Sequence, residues 1–177
     1  MVFRNLNANE IEVKVKQVKE NGLICLLYKT ARTDMDLLDE TVGADKWEND
    51  YKEIKGNLYA GIGIKQDDGS YIWKWDCGVE SRQDDEGNEK KGEASDAFKR
   101  AGFRWGIGRA LYSSPFIWIA AEKAKIERNT KGKLVCNDRF SVEKIAYSPD
   151  GKRIIGLAIK NDTVKTRAFV WQEATAK

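Results

Sequence analysis

The sequence predicts an α+β protein: a β-β-β-α core in which an antiparallel sheet packs on a basic helix, followed by a second, small C-terminal β meander. Three observations predict it. Residues 46–79 hold three strand-like segments separated by "KG" and "DDGS". Residues 90–112, "KKGEASDAFKRAGFRWGIGRALY", carry helical spacing and a run of cations that ends in glycines. Residues 139–171 read as a second meander of three segments, "RFSVEKIAY", "RIIGLAIK" and "KTRAFVW", separated by two turn signals, "SPDG" and "NDT".

Taken in order, "EIEVKVKQV" alternates Ile11, Val13, Val15 and Val18 loosely with charged and polar neighbours, the pattern of a half-buried strand. "ENG" supplies a turn, and "LICLLY" reads as a short buried strand. "KTARTDMDLLDETVG" then shifts to helical spacing, with Met35, Leu38 and Val42 on one face, Leu37 nearby and Gly43 as the stop. "KWENDYKEI", "NLYAGIGIKQ" and "YIWKWDCGV" form an antiparallel meander, and Asp68-Gly69 is a strong hairpin signal. "ESRQDDEGNEKK" is polar and mixed in charge, an exposed connector. After the basic helix, Pro115 blocks continuation, and Phe116 to Ala120 read as extended. "EKAKIERNTKGK" is expected to be a mobile, net-basic connector before the last meander. One domain is expected over 1–177, with no repeat and no low-complexity segment.

Composition narrows the function classes. Hydrophobic content of 41% and charged content of 33% suit a folded protein with a core. The longest apolar runs, Leu23–Tyr28 and Pro115–Ala121, fall far short of the ~20 residues that span a bilayer. "MVFRNLNANE" carries no apolar signal segment. Cys25, Cys77 and Cys136 are too scattered for a disulfide framework or a zinc knuckle, so they read as reduced and structural. A cytoplasmic location is expected. The chain has no histidine, which removes the commonest general base and metal ligand. No G-x-x-x-x-G-K-[ST] loop is present, so no nucleotide cofactor is expected, and no metal site. A net charge of +3 is too small to announce a nucleic-acid partner, so the positions of the charges decide.

Those positions lead to the basic helix. At ~100° per residue, Ala94, Phe98, Ala101 and Trp105 fall on one side and form the core face. Ala97, Ala101 and Gly102 are small enough to let the helix sit close to a sheet. Lys99, Arg100 and Arg104 lie on an arc roughly opposite, shared with Asp96, Phe103 and Ile107. Residues 91–112 hold Lys91, Lys99, Arg100, Arg104 and Arg109 against Glu93 and Asp96. A mixed apolar and cationic face suits either a subunit interface or a strand of bases lying over a charged rail. Gly106 and Gly108 either leave amides open to a phosphate or simply end the helix. The six tryptophans read mainly as packing residues.

"KGEASDAFKRAGFRWGIGRALY" resembles the helix motif of the Rad52/Rad22 family of single-strand annealing proteins, in its phage Sak-type form. "LLYKTARTDMDLLDETVGADKWENDY" and "WKWDCGVES" are similar to that family's earlier motifs, in the same order. The resemblance covers about residues 10–120, leaving a β extension at about 134–172. It implies a β-β-β-α core that assembles into rings or filaments, with single-stranded DNA in a positive groove and its bases exposed for pairing. Lys99 and Arg100 match the paired basic residues that line that groove. Tyr28 and Arg32 match the aromatic residue before the first helix and the Arg of the following turn. Lys16 or Lys14 is the counterpart of an upstream basic residue. Arg104, Arg109 and Lys91 extend the same DNA-binding set. Phe103 stands where nuclear members carry a further basic residue, with Arg104 one place later.

The function so implied is single-stranded DNA binding and ATP-independent annealing of complementary strands in recombination and repair, in a host cytoplasm if the chain is phage-encoded. The resemblance implies no enzymatic activity. The expected partners are single-stranded DNA and further copies of the chain. A single-strand-binding protein is a further candidate, although the tail by which nuclear members recruit one has no counterpart before Lys177. Three alternatives stand beside this reading. A passive single-strand binder with an OB-like barrel would protect DNA without pairing it. A metal-dependent nuclease would need a carboxylate cluster, for which Asp84-Asp85-Glu86 and the "EIK" at Glu53–Lys55 are the nearest candidates. A protein-interaction module would have no DNA role.

Overall fold

The computed structural model describes residues 1–79 and 89–174, the side chains of 89–91 excepted. In chain order the first elements are β1 (Glu12–Lys19), β2 (Gly22–Tyr28), α1 (Ala31–Val42), β3 (Trp47–Ile54), β4 (Asn57–Lys65), β5 (Tyr71–Cys77) and α2 (Glu89–Trp105). They are followed by β6 (Ile117–Ala120), β7 (Ile126–Arg128), β8 (Leu134–Cys136), β9 (Phe140–Tyr147), β10 (Ile154–Asn161) and β11 (Thr166–Gln172). The class is α+β, as the sequence predicts. The chain forms two compact units: Met1–Arg4 with Lys29–Arg109, and Asn5–Tyr28 with Ala110–Lys177.

The first unit is the β-β-β-α core with α1 added. The Thr30 hydroxyl caps α1 by accepting from the Thr33 amide at 3.1 Å, which satisfies one orphan donor of the first turn. Gly43, at φ +94°, ends the helix with its amide on the Asp39 carbonyl. The buried face of α1 is Thr33, Asp34, Leu37 and Leu38, whereas Met35 is exposed. The expected Met35–Leu38–Val42 stripe is thus rotated, because a buried carboxylate takes the place on which the apolar pattern was centred.

Strands β3, β4 and β5 pair antiparallel in that order. Lys55 and Gly56 close the first hairpin, both with positive φ, which suits a two-residue turn of the mirror-image type. The register places Ala60, Ile62 and Ile64 of β4 on one face together with Ile72, Lys74 and Asp76 of β5. Helix α2 covers this face with Ala97, Phe98 and Ala101, all buried. Gly78 permits the close approach, since a Cβ there would run into the Glu93 backbone carbonyl. Helix α2 begins at Glu89, so the exposed connector expected through Lys91 is shorter at its end. Its remainder, 80–88, lies outside the described residues.

In the second unit one antiparallel sheet runs β11-β10-β9-β1-β2-β6. The C-terminal meander is present, but it joins the N-terminal hairpin through β9 and β1 rather than forming a separate sheet. The two end strands, β6 and β11, come close to one another, so the sheet curls towards closure. Leu6, Ile11, Leu23, Cys25, Ile117, Ile119 and Ile159 are buried in this unit. The Tyr147 hydroxyl donates to the Leu6 carbonyl at 2.8 Å. The segment expected to be a mobile connector at 122–133 contains β7 and a turn at Asn129–Gly132 that returns the chain into β8. Its strands have three residues each, too short to show a period of two. Among the described residues no helix is long and apolar enough to cross a membrane.

Candidate nucleic-acid interface

The cations of α2 stand on a helix whose underside is fixed by packing. Burial of Ala97, Phe98 and Ala101 against β4 leaves Lys99, Arg100 and Arg104 on the other side of the helix, exposed to different degrees. The side chains of Arg100 and Arg104 are 41% and 58% exposed, that of Lys99 only 18%. Lys99 lies 3.9 Å from Asp96 one turn earlier. Asp76, on β5, faces two guanidiniums at once. It accepts from Arg104 Nε at 3.0 Å and lies 3.6 Å from Arg100 Nε. That Arg100 nitrogen is buried and donates no hydrogen bond. One carboxylate therefore serves two arginines and leaves part of their donor capacity unspent.

The C-terminal end of α2 gathers two more cations. Arg109 donates to the carbonyls of Phe103 and Arg104 at 2.9 and 2.8 Å, and Lys74 Nζ reaches the Arg104 carbonyl at 3.2 Å. Both satisfy orphan carbonyls at the negative end of the helix. Lys74 also sits over the Trp105 ring at 4.2 Å. Gly106 and Gly108 have positive φ and end the helix. The amides of Gly106, Ile107 and Arg109 are used on the carbonyls of Phe103, Gly102 and Gly106, and the helix ends at Trp105, as the helix-terminus expectation has it. Ile107 is fully buried rather than part of the cationic arc, because the chain turns there.

Beneath this surface lies a feature that sequence reasoning missed. Lys29 and Asp34 form an ion pair with side chains 1% and 0% exposed. Lys29 Nζ also donates to the Lys99 carbonyl at 3.0 Å and stands 4.1 Å from the Phe103 ring centre. Gly102 provides the space, since a Cβ there would collide with the Asp34 carboxylate. Phe103 is thus turned inward towards a cation. Burial pulls the Lys29 ammonium below the usual lysine range and raises the Asp34 carboxyl above the usual carboxylate range, while each partner's charge opposes the shift. The pair ties the start of α1 to the turn of α2 that bears Lys99 and Arg100. Its signal in the sequence is Asp34 at the i, i+3, i+4 positions with Leu37 and Leu38, an acid on a core stripe.

The other expected residues fall as follows. Arg32 is exposed in the first turn of α1. In the second unit, Tyr28 ends β2 and is 37% exposed, and Lys14 Nζ lies 5.2 Å from its ring centre. Lys14 also pairs with Glu12 at 3.6 Å. Lys16 is exposed at the irregularity between Val15 and Gln17 where β1 shifts register. Lys91 lies outside the described side chains, and Asp84, Asp85 and Glu86 outside the described residues. Glu53 and Ile54 are exposed at the end of β3 and Lys55 lies in the hairpin turn. Among the described residues no three His, Cys, Asp or Glu side chains are grouped to hold a metal ion.

The first unit is thus a three-stranded antiparallel sheet packed against a helix that carries Lys99, Arg100 and Arg104. Residues 3–130 match the family model described as the Rad52/22 family double-strand break repair protein. The match spans more than half of the chain, and the protein belongs to that family. Membership places it among proteins of DNA repair and recombination, and the family works by annealing rather than by catalysis. No curated protein and no solved structure matches the chain.

Proposed function

We propose that this protein binds single-stranded DNA along the outward face of α2 and anneals complementary strands without ATP, as a phage recombinase of the Sak type. The single observation that carries the reading is the placement of Lys99, Arg100 and Arg104 on one arc of a helix that buries its opposite side, with Arg100 and Arg104 open to solvent and Lys99 largely covered. Phosphates replace water and Asp76 around the guanidiniums, and each neutralised phosphate releases counterions. Contacts to the backbone carry no sequence information, so binding is sequence-tolerant and the bases stay free to pair. Two bare strands repel each other, and neutralising one of them removes most of that barrier. Arg109, Arg32 and Lys91 extend the rail, and Tyr28 with Lys14 or Lys16 adds a second contact. The whole chain, 1–177, acts as the DNA-annealing domain, and copies joined in a ring or filament share one strand, so weak contacts add up through avidity.

The test is the double change Lys99→Ala with Arg100→Ala. The expected variant is folded and oligomeric, with single-strand binding reduced at least about tenfold, since charge-assisted bonds contribute roughly 1.5–3 kcal/mol each. Normal binding by the variant would refute the assignment of the rail. Loss of the oligomer would move these residues into a subunit contact. Protection of single strands by the unmodified protein, with no acceleration of pairing, would favour the passive-binder reading.

A further inference from the structure

The register of β4 and β5 places Trp73 opposite Gly63 and Trp75 opposite Gly61, on the sheet face turned away from α2. The two indoles lie flat on those glycines, since a Cβ at either position would meet the ring at 2.6 Å. They stack on one another at 5.5 Å between centres, 25° from parallel, and both are half-buried. β5 is an end strand of its sheet. Along it, Trp73, Lys74, Trp75, Arg104 and Arg109 line one open recess of about 530 Å³, a size within the roughly 300–1,000 Å³ of ligand clefts. Three of its five lining side chains are cations, and hydrogen bonds to the end of α2 hold Lys74 and Arg109 in place. On the same face as the indoles, Lys52 Nζ stands 4.1 Å from the Trp75 ring centre.

From this geometry we infer that the recess takes one unstacked nucleobase of the bound single strand, on the Trp73–Trp75 pair, with the adjoining phosphate on Arg104 and Arg109. The inference rests on the reading of α2 as the phosphate rail and adds a base-binding subsite to it. An indole pair offers a π-face that any base can use, so the contact is independent of sequence. The cations suit a polyanion, and Lys52 can move from the Trp75 ring to a phosphate when a base arrives. Gly61 and Gly63 serve the site by letting the indoles lie flat and rigid, so that little side-chain freedom is lost on binding. A strand held this way is bent out of its stack once per protomer, while its other bases remain available.

The experiment compares a thymidine oligonucleotide with an abasic sugar–phosphate strand of the same length, on the unmodified protein and on Trp73→Leu with Trp75→Leu. The unmodified protein is expected to bind the thymidine strand about tenfold tighter than the abasic one. The double-leucine variant should bind both strands equally, with the affinity of the abasic one, and Trp75→Phe should keep much of the preference. Equal binding of both strands by the unmodified protein overturns the subsite and leaves the rail standing. Binding of neither strand overturns the rail and the subsite together. If the leucine variant does not fold, photo-crosslinking of the unmodified protein to a 5-iodouracil strand decides. An adduct at Trp73 or Trp75 supports the subsite, and adducts only elsewhere refute it.

Discussion

Removing the carboxylate of Asp34 would leave the Lys29 ammonium buried, with the Lys99 carbonyl and the Phe103 ring for company. Breaking a buried pair from one side typically costs about 3–5 kcal/mol, because the remaining charge has neither partner nor water. Replacing both partners by apolar residues of similar volume is often neutral. Asp34→Ala is therefore expected to lose about 3 kcal/mol or more in urea unfolding, and Lys29→Met with Asp34→Leu to stay within about 1 kcal/mol of the unmodified protein. An Asp34→Ala variant of undiminished stability would show that the pair is not buried as described. Gly102→Ala attacks the same spot from α2, since its methyl would occupy the place of the carboxylate. That variant should fall between the other two. Addition of Asp34→Ala should relieve its steric part, so that the two losses combine to less than their sum.

Strand β2 lies inside its sheet, between β1 and β6, and its Cys25 is 1% exposed. Burial pushes the Cys25 thiol up to about 12, so almost no thiolate is present at neutral pH. Alkylation of the native protein should modify Cys77 and Cys136, both partly exposed, and spare Cys25 until denaturant is added. Rapid labelling of Cys25 in native protein, read by peptide mass, would contradict the position of β2. At this scale most of the architecture was legible. The hairpin turns at Gly56, Asp68-Gly69 and "SPDG" are made by residues with local reasons to turn. What escaped had no local reason. The joining of the last meander to β1 depends on contacts across more than a hundred residues. Lys99, Arg100 and Arg104 could be placed on one arc from periodicity alone. Lys74 and Asp76 could not, because only the β4–β5 register brings them beneath α2. The pairing of "GIG" with "WKW" has a sequence trace, two small residues and two large ones at the same spacing of two, and it becomes meaningful once the strands are known to be neighbours.

The whole molecule carries a net charge of +3, so its attraction for a polyanion is local and short in range. Lys74, Lys99, Arg100, Arg104 and Arg109 stand against Asp76 and Asp96 within one unit, and that imbalance is the electrostatic basis of the proposed rail. Binding should weaken steeply with salt, by about 0.7 in log affinity per log salt for each phosphate contact on a single strand. The double change at Lys99 and Arg100 should flatten that slope by roughly two contacts. An unchanged slope would mean that other cations meet the phosphates. Asp76 gives this surface one more property. An annealing protein has to let go of its product, and a purely cationic track would retain the duplex it makes. On the proposed reading, the carboxylate between Arg100 and Arg104 would compete with phosphate for both arginines and favour release. Asp76→Asn should hold single strands more tightly yet complete fewer rounds of annealing, a separation of grip from turnover that stopped-flow pairing with excess DNA would reveal. A variant that gained on both counts would mean that hand-over of the strand is governed elsewhere.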